Sequence, residues 1–267
     1  MMRFLYRTVI GRSVLKCLVS PGISRVCGKF LSSPISRWMI PRFIRKHQID
    51  MNGIVLPPGG FTSFNDFFIR RRLQRLEPAF ADDTIISPCD GLLTMLPIWE
   101  DTRLAVKGTV YRLDRLLGDS QLAEDFRGGM ALIFRLTPQH YHRYCYSVNG
   151  TILWKRRIEG KLHSVRPLAL EKVPVFVENS REFQVIKTVG GLMVQMEVGA
   201  LLVGRIMNHP REDRRCVRAG EEKGYFEFGG STVILLLKKH IAELTDEFKI
   251  DGNKEIPVRM GQLLGRI

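Results

Sequence analysis

The sequence predicts an α+β fold in which a basic helical N-terminal part precedes a mainly antiparallel β domain. From about Ile85 onward, short runs of β-branched and aliphatic residues alternate with Gly, Pro and Asn, which is typical of strands joined by turns. Before residue 50, apolar residues recur at three- and four-residue spacing, which is typical of amphipathic helices. The turn-rich stretch Pro57-Pro58-Gly59-Gly60 separates the two patterns. We therefore expect a helical region over residues 1–56 and a β-rich domain over residues 61–267.

The N-terminal region concentrates positive charge. The 267 residues carry a net charge of +14, and residues 1–49 contain ten Lys or Arg but no Asp or Glu. This imbalance predicts an anionic partner. The charges are interleaved with aliphatic and aromatic side chains and no nucleic-acid reader motif accompanies them, so a membrane surface is favoured over nucleic acid. The remaining interpretation is a helical subdomain that packs on the core and turns its basic face to water.

Composition argues against secretion, a metal site and a membrane span. The cysteines are scattered without a Cys-x-x-Cys pair, so neither a disulfide framework nor a zinc site is indicated. No apolar run approaches the roughly 20 residues that cross a bilayer. The basic start is broken by Ser, Gly and Arg and does not continue into a signal-peptide core. We expect a cytosol-facing protein without a bound metal.

Local signals place the individual elements. The N-terminal helices should break at Pro21-Gly22, Ser33-Pro34 and Pro41. Ser63 or Asn65 should cap a short helix whose phenylalanines dock on the core. A longer helix is expected over residues 113–126, and a last short element over residues 258–267. Strands are expected over residues 91–98, 130–136, 151–158, 183–188, 192–198, 201–207 and 231–237.

The stretch Gly229-Gly230-Ser231-Thr232 interrupts the strand pattern just where the apolar run of residues 231–237 begins. Taken alone, two glycines before a hydroxyl are typical of a β-turn. They also allow the backbone to bend sharply or to be approached closely by another group. The other polar residues of the chain decide between these interpretations.

Three places supply the residue types of a catalytic relay. Asp90 lies in a tight turn before a strand, His140 and His142 flank a tyrosine, and Ser231 opens the last long strand. A carboxylate, an imidazole and a hydroxyl together make a serine nucleophilic near neutral pH. A hydrolase is the default inference, but Ser231 lacks the Gly-x-Ser-x-Gly turn of such enzymes. Its other target is the Gly230 carbonyl, and attack there followed by elimination would divide the chain into residues 1–230 and 231–267.

These motifs, with others in the same order, resemble the phosphatidylserine decarboxylase proenzyme family, whose members are pyruvoyl-dependent enzymes. The likeness extends from the basic N-terminus to about Lys239. Its motifs are Phe64-Asn65-Asp66-Phe67-Phe68-Ile69-Arg70, Ser87-Pro88-Cys89-Asp90-Gly91, Val106-Lys107-Gly108-Thr109-Val110-Tyr111, Leu116-Leu117-Gly118, Tyr141-His142-Arg143, Ile158-Glu159-Gly160, Glu197-Val198-Gly199-Ala200, Val203-Gly204-Arg205-Ile206 and Phe226-Glu227-Phe228-Gly229-Gly230-Ser231-Thr232-Val233.

The resemblance implies roles for the relay residues. Ser231 would attack Gly230 and become a covalent pyruvoyl cofactor, which forms a Schiff base with the substrate amine. Asp90 and His142 would complete the relay, since His142 matches the Tyr-His-Arg motif, and His140 stays the alternative base. A common family pattern has a second histidine three residues after the first and often an Asp before the Tyr. This chain has Cys145 and His140 at those positions.

The resemblance also implies an activity and a location. The enzyme would convert phosphatidylserine to phosphatidylethanolamine and CO₂ in phospholipid biosynthesis, as a peripheral protein on the cytoplasmic face of the membrane. The two chains would stay associated after cleavage, a homodimer remains open, and no nucleic-acid partner is expected. Two rival functions are retained, namely a catalytically inactive membrane-binding β-domain and a serine hydrolase that uses Asp90, His142 and Ser231 on an external ester.

Overall fold

The computed structural model describes residues 21–267, except residues 74–75, 77–79, 166, 171–173, 201–204, 230 and 249–253. Predictions for residues 1–20, for Gly230 and for the first half of the strand expected at 201–207 lie outside the described residues. The described architecture is mainly antiparallel β with short helices, which confirms the predicted α+β class. Within these ranges no helix is long and apolar enough to cross a membrane.

An antiparallel sheet of eight strands, in the order β11-β7-β8-β9-β13-β5-β2-β15, forms the centre of the molecule. Two three-stranded sheets, β10-β12-β6 and β1-β16-β14, and the hairpin β3-β4 surround it. The strands are β1 (Thr84–Ile86), β2 (Gly91–Pro97), β3 (Arg103–Val106), β4 (Thr109–Arg112), β5 (Met130–Leu136), β6 (Arg143–Cys145), β7 (Gly150–Ile158), β8 (Arg181–Lys187), β9 (Leu192–Gly199), β10 (Ile206–Asn208), β11 (Cys216–Val217), β12 (Glu222–Phe226), β13 (Ser231–Leu237), β14 (Glu243–Leu244), β15 (Ile256–Val258) and β16 (Leu263–Arg266).

Strand β13 lies in the interior of the main sheet, paired with β9 on one side and β5 on the other. All seven of its residues are buried. Ile234 and Leu236 belong to the apolar core on one face of the sheet, whereas Val233, Leu235 and Leu237 belong to the core on the other face. An apolar run without polar alternation is what a strand covered on both faces requires, so the strand predicted over residues 231–237 is confirmed.

Most of the other predicted strands agree with the structure to within two residues. The strand expected over residues 201–207 corresponds to β10 only in its last part, and the element expected over residues 258–267 is partly wrong. The end of β15, a turn at Gly261 with φ of 85° and the strand β16 occupy that range. A left-handed glycine there allows the chain to reverse between the two strands.

The helices are short. They are α1 (Pro21–Leu31), α2 (Met39–His47), α3 (Phe64–Phe68), α4 (Leu113–Leu117), α5 (Ser120–Glu124), α6 (Pro167–Leu170) and α7 (Val175–Glu178), with 3-10 turns at Pro34–Trp38 and Asp246–Phe248.

Two helix predictions are corrected by the structure. The single helix expected over residues 113–126 is divided into α4 and α5, because Gly118 adopts φ of 61° and Asp119 caps α5 through the Leu122 amide at 2.9 Å. Pro41 does not end a helix as predicted. It lies in the first turn of α2, where backbone amides have no partner within the helix, so the missing N–H of proline costs no hydrogen bond. The predicted break at Ser33-Pro34 is confirmed.

Aromatic packing joins the N-terminal helices to the β domain. Ser63 caps α3, since its Oγ accepts a hydrogen bond from the Asp66 amide at 3.1 Å. The three phenylalanines of α3 are fully buried, and they pack with Leu31 and Ile40 of the N-terminal helices in one apolar cluster. Each fully buried aromatic side chain contributes about 1.5–3 kcal/mol. The domain boundary expected at residues 57–60 stays a prediction.

Candidate active site

Ser231 is the first residue of β13 and its side chain is fully buried. Its Oγ has no hydrogen-bond partner among the described residues, and neither has Oγ1 of the adjacent Thr232. A buried hydroxyl without a partner is unfavourable, and such groups concentrate at sites where strain or chemistry requires them. The start of β13 is therefore a candidate reaction centre.

The backbone just before Ser231 is held on several sides. The Phe226 amide donates to the His142 carbonyl at 2.9 Å, and the Phe228 amide donates to Oδ1 of Asn65 at 3.2 Å. Gly229 has φ of 151°, a value that residues with a Cβ rarely adopt. These contacts fix the approach to the Gly-Ser junction, although Gly230 itself lies outside the described residues.

The hydrogen bonds of His142 define which of its nitrogens is basic. The ring is fully buried and lies 4.0 Å, between centroids, from the ring of Phe68. Its Nδ1 is 2.9 Å from the carbonyl oxygen of His140, which can only accept, so Nδ1 carries the hydrogen. Burial lowers the pKa of His142 to about 3, although that hydrogen bond opposes the shift. The neutral ring therefore has an unprotonated Nε2, and within the described part of the chain this nitrogen has no partner.

His140 has the opposite tautomer. Its Nδ1 accepts a hydrogen bond from the Thr137 amide at 3.0 Å, so the neutral ring carries its hydrogen on Nε2. Burial lowers the pKa of His140, and the nearby carboxylate of Asp90 opposes that shift. Because the lone pair of its neutral ring is already occupied, His140 is the weaker candidate for a base.

Asp90 is held by an arginine and by backbone. Nη2 of Arg72 lies 2.5 Å from Oδ2 and Nη1 lies 3.3 Å from Oδ1 of the carboxylate. The Met260 amide donates to Oδ1 at 2.9 Å. The same guanidinium covers the ring of Tyr141 at 4.3 Å from its centroid. Arg72 thus links Asp90 to the segment that carries both histidines.

The structure brings the predicted relay residues together only in part. Among the described residues, no hydrogen bond joins Asp90 to His142 or to Ser231. The carboxylate acts electrostatically on His140, whereas the carbonyl of that residue, not Asp90, orients the ring of His142. The catalytic roles of Asp90, His142 and Ser231 stay predictions.

A buried polar cluster ties the two halves of the site together. Lys223 on β12 forms an ion pair with Glu197 on β9, and both side chains are fully buried. Asn208 on β10 donates to Oε2 of Glu197 at 3.1 Å and accepts from Tyr144 at 3.0 Å. Burial raises the pKa of Glu197, and the ammonium of Lys223 opposes the shift. The cluster fastens the small sheet, whose strand β6 follows His142, to the main sheet, which carries Ser231.

Comparison with known proteins gives the family. The sequence profile described as phosphatidylserine decarboxylase matches residues 64–266. The chain belongs to the phosphatidylserine decarboxylase family. It is 37% identical over 270 residues to phosphatidylserine decarboxylase proenzyme 2 of Clostridium acetobutylicum, covering 99% of this chain and 91% of the relative. It is 39% identical over 272 residues to the proenzyme of Ruminiclostridium cellulolyticum, covering 98% and 89%.

Membership of the phosphatidylserine decarboxylase family confirms the predicted family and the predicted enzyme class. Cys145, which departs from the common family pattern, is fully buried, with its Sγ 3.5 Å from the Pro88 carbonyl oxygen. Burial raises the pKa of its thiol to about 12, so the group behaves as a small apolar side chain near neutral pH.

Sequence reasoning missed the residues that support the relay. Arg72 follows a recognised motif by only two positions, but nothing local reveals that it pairs with Asp90. Glu197 belongs to one of the sequence motifs, and the signal for its partner is Lys223, a lysine that lies in strand β12 shortly before two aromatic residues. A charge in such a place needs a counter-charge.

Proposed function

We propose that this decarboxylase is made as a proenzyme that cuts itself between Gly230 and Ser231, and that the residue at the new N-terminus becomes a pyruvoyl cofactor. The mature enzyme then converts phosphatidylserine to phosphatidylethanolamine and CO₂. The observation that carries the proposal is the pair of buried, unpartnered atoms, Ser231 Oγ and His142 Nε2, in a member of this family.

Self-cleavage follows from ordinary acyl chemistry. His142 Nε2 takes the hydroxyl proton, and Ser231 Oγ bonds to the Gly230 carbonyl carbon. The C–N bond breaks, the proton passes to the departing nitrogen, and an ester remains. Elimination then moves the Cα proton of residue 231 to a base, breaks its Cβ–Oγ bond to release the Gly230 carboxylate, and leaves a dehydroalanine at position 231. Hydrolysis of this dehydroalanine releases its nitrogen as ammonia and gives the pyruvoyl group.

The residues around position 231 fit such a group. A pyruvoyl group supplies a carbonyl that accepts electrons when CO₂ leaves the substrate. The hydroxyl of the next residue, Thr232, is buried without a partner among the described residues and has a hydrogen to donate. The buried strand excludes water, which favours loss of a charged carboxylate. After decarboxylation the substrate carbon needs a proton, and His142 Nε2 can deliver one after taking it up from water or from the substrate, since the neutral ring holds no hydrogen on that atom.

The N-terminal helices support attachment to an anionic membrane surface. Four large apolar side chains, those of Val26, Phe30, Ile35 and Trp38, are exposed within a segment that also carries Lys and Arg and no acidic residue. Exposed apolar side chains beside basic residues suit the interface of a bilayer. We place the protein on the cytoplasmic face of a membrane, where its substrate lies.

Mass measurement under denaturing conditions tests the central step. The purified protein should give two pieces, residues 1–230 and a 37-residue piece of residues 231–267 with a blocked N-terminus. Ser231→Ala should stay intact and inactive. A single 30.6 kDa chain from active wild-type protein would contradict self-cleavage. Labelling of an intact chain by a fluorophosphonate would favour the hydrolase, which the complete burial of Ser231 disfavours.

A further inference from the structure

A separate cavity of about 510 Å³ lies between the segment around α3 and strands β10 and β12. Basic and polar side chains line much of it, and neither Ser231 nor His142 does. The lining residues that the argument uses are Arg70, Arg71, Arg143, Asp66, His209 and Val55.

Arg70 is a buried cation that forms no ion pair with a carboxylate of the described residues, although Asp90 acts on it electrostatically from a distance. The residue is only 5% exposed, and its Nε has no hydrogen-bond partner among the described residues. Its Nη1 lies 3.5 Å from the Phe68 carbonyl oxygen, a long contact, and its guanidinium lies 5.1 Å from the centre of the Phe67 ring. Burial lowers the pKa of Arg70 to about 10, so the group is still charged at neutral pH. Burying such a charge is unfavourable unless an anion completes its surroundings.

The other charges around the cavity leave a positive excess. Arg143 and His209 both pair with the single carboxylate of Glu222, at 2.8 and 2.7 Å. The Asp66 carboxylate already accepts two hydrogen bonds from Thr62. Arg71 is exposed and forms no ion pair within the described part of the chain.

We propose that this cavity binds the phosphodiester of a glycerophospholipid headgroup, with Arg70 as its buried partner and Arg71 at its mouth. A guanidinium matches two phosphate oxygens with two parallel hydrogen bonds. The exposed apolar side chains of Val55 and Leu56 lie at or next to the lining, which suits a phosphate that carries a glyceride. That the lipid is the substrate rests on the proposed function.

The cavity lies beside the catalytic base. Phe68, whose ring packs on His142, is two residues before Arg70, and the positive charge of Arg70 helps to lower the pKa of that histidine. A headgroup phosphate on Arg70 would therefore place the rest of the headgroup near the reaction centre.

Binding can be measured without any chemistry by placing all variants in Ser231→Ala protein. The probes are dibutyryl phosphatidylglycerol, which is not the substrate, and inorganic phosphate, each titrated by calorimetry. Arg70→Gln should bind the lipid at least about tenfold more weakly, because a charge-assisted hydrogen bond is lost. Arg127→Gln, which removes the same charge from an exposed site outside the cavity, should bind like its parent.

A second pair of variants keeps the proposal open to refutation if Arg70→Gln folds poorly. Arg71→Gln alters only an exposed side chain and should also weaken lipid binding, by a smaller factor, while Arg70→Lys should restore part of the affinity. Unchanged lipid binding in both glutamine variants would overturn the site. Equal affinity for inorganic phosphate and the short-chain lipid would overturn the assignment to a lipid. Since this protein is never cut, these outcomes do not depend on whether self-cleavage occurs.

Discussion

His140 and His142 lie two residues apart, yet their hydrogen bonds give them opposite tautomers. A backbone amide occupies Nδ1 of His140, whereas a backbone carbonyl takes the hydrogen of Nδ1 of His142. The free lone pair is therefore on Nε2 of His142, which is the atom the proposed self-cleavage requires. The difference comes from the backbone around the two rings and not from the rings themselves.

Exchange of each histidine tests this difference. His142→Gln should stop self-cleavage, because the amide has no basic nitrogen, whereas His140→Gln should still be cut at a measurable rate. The fraction of the 37-residue piece, followed by mass spectrometry after purification, gives the answer. Normal cleavage of His142→Gln, or its loss only in His140→Gln, would contradict the assignment of the base.

The pKa of His142 also predicts how stability depends on pH. Its folded-state pKa of about 3 lies below the ordinary 6.5, so the unfolded chain binds the proton more readily. The stability present above pH 6.5 should fall toward pH 3, by about 1.4 kcal/mol for each pH unit. Urea unfolding of Ser231→Ala protein at pH 7 and pH 5 measures the fall. The loss of unfolding free energy between pH 7 and pH 5 should be smaller when His142→Gln is added. The same loss in both proteins would speak against a buried neutral imidazole.

At the scale of elements, the ion pair between Lys223 and Glu197 holds two sheets together. The first residue lies on β12 of the small sheet and the second on β9 of the main sheet. The positions of Ser231 and of the strand after His142 both depend on this junction. We therefore expect the pair to position the two parts of the site relative to each other.

Removal of one partner should reveal the importance of the junction. Lys223→Met leaves the Glu197 carboxyl buried alone and should lower the free energy of unfolding by about 3 kcal/mol, while adding Glu197→Gln should restore much of it. Lys239→Met breaks an exposed pair with Glu100 and should cost less than about 1 kcal/mol. Urea unfolding of Ser231→Ala protein measures all three, and equal losses for the two lysines would refute the role of the junction.

The elements show how far sequence reasoning reaches. Strand β13 and the Ser63 cap follow from neighbouring residues, because an apolar run and a capping hydroxyl are local signals. The pairing of Asp90 with Arg72, and of Glu197 with Lys223, depends on which turns and strands meet, and no local pattern encodes that. The tautomers of the two histidines depend on backbone carbonyls and amides, so the residue types were predictable but their protonation was not.

At the scale of the whole molecule, charge and exposed apolar side chains lie at the same end of the chain. Trp38 is 65% exposed among basic residues of the N-terminal helices, whereas Trp99 is 43% exposed on the loop after β2. The proposed membrane attachment requires the first tryptophan and not the second.

Vesicle binding distinguishes the two tryptophans. Trp38→Ser should reduce binding to phosphatidylcholine vesicles that contain phosphatidylglycerol by about tenfold, since a large apolar side chain no longer enters the interface. Trp99→Ser should bind like wild type. Binding should weaken further with added salt, because the basic residues attract the anionic lipid. Equal binding of the two variants in a flotation assay would refute attachment through these helices.

The position of β13 inside the main sheet has a consequence for folding. Its partners β5 and β9 precede it in the chain, so the sheet closes only after residues 231–237 have been inserted between them. If the chain is then cut at residue 231, the covalent link that guided this insertion is gone. The contacts of the native sheet would still hold the two chains of the mature enzyme together. After unfolding, however, the two chains would have to associate again from solution. Recovery from denaturation should then depend on protein concentration, whereas the uncut Ser231→Ala protein should refold as a single chain at any dilution.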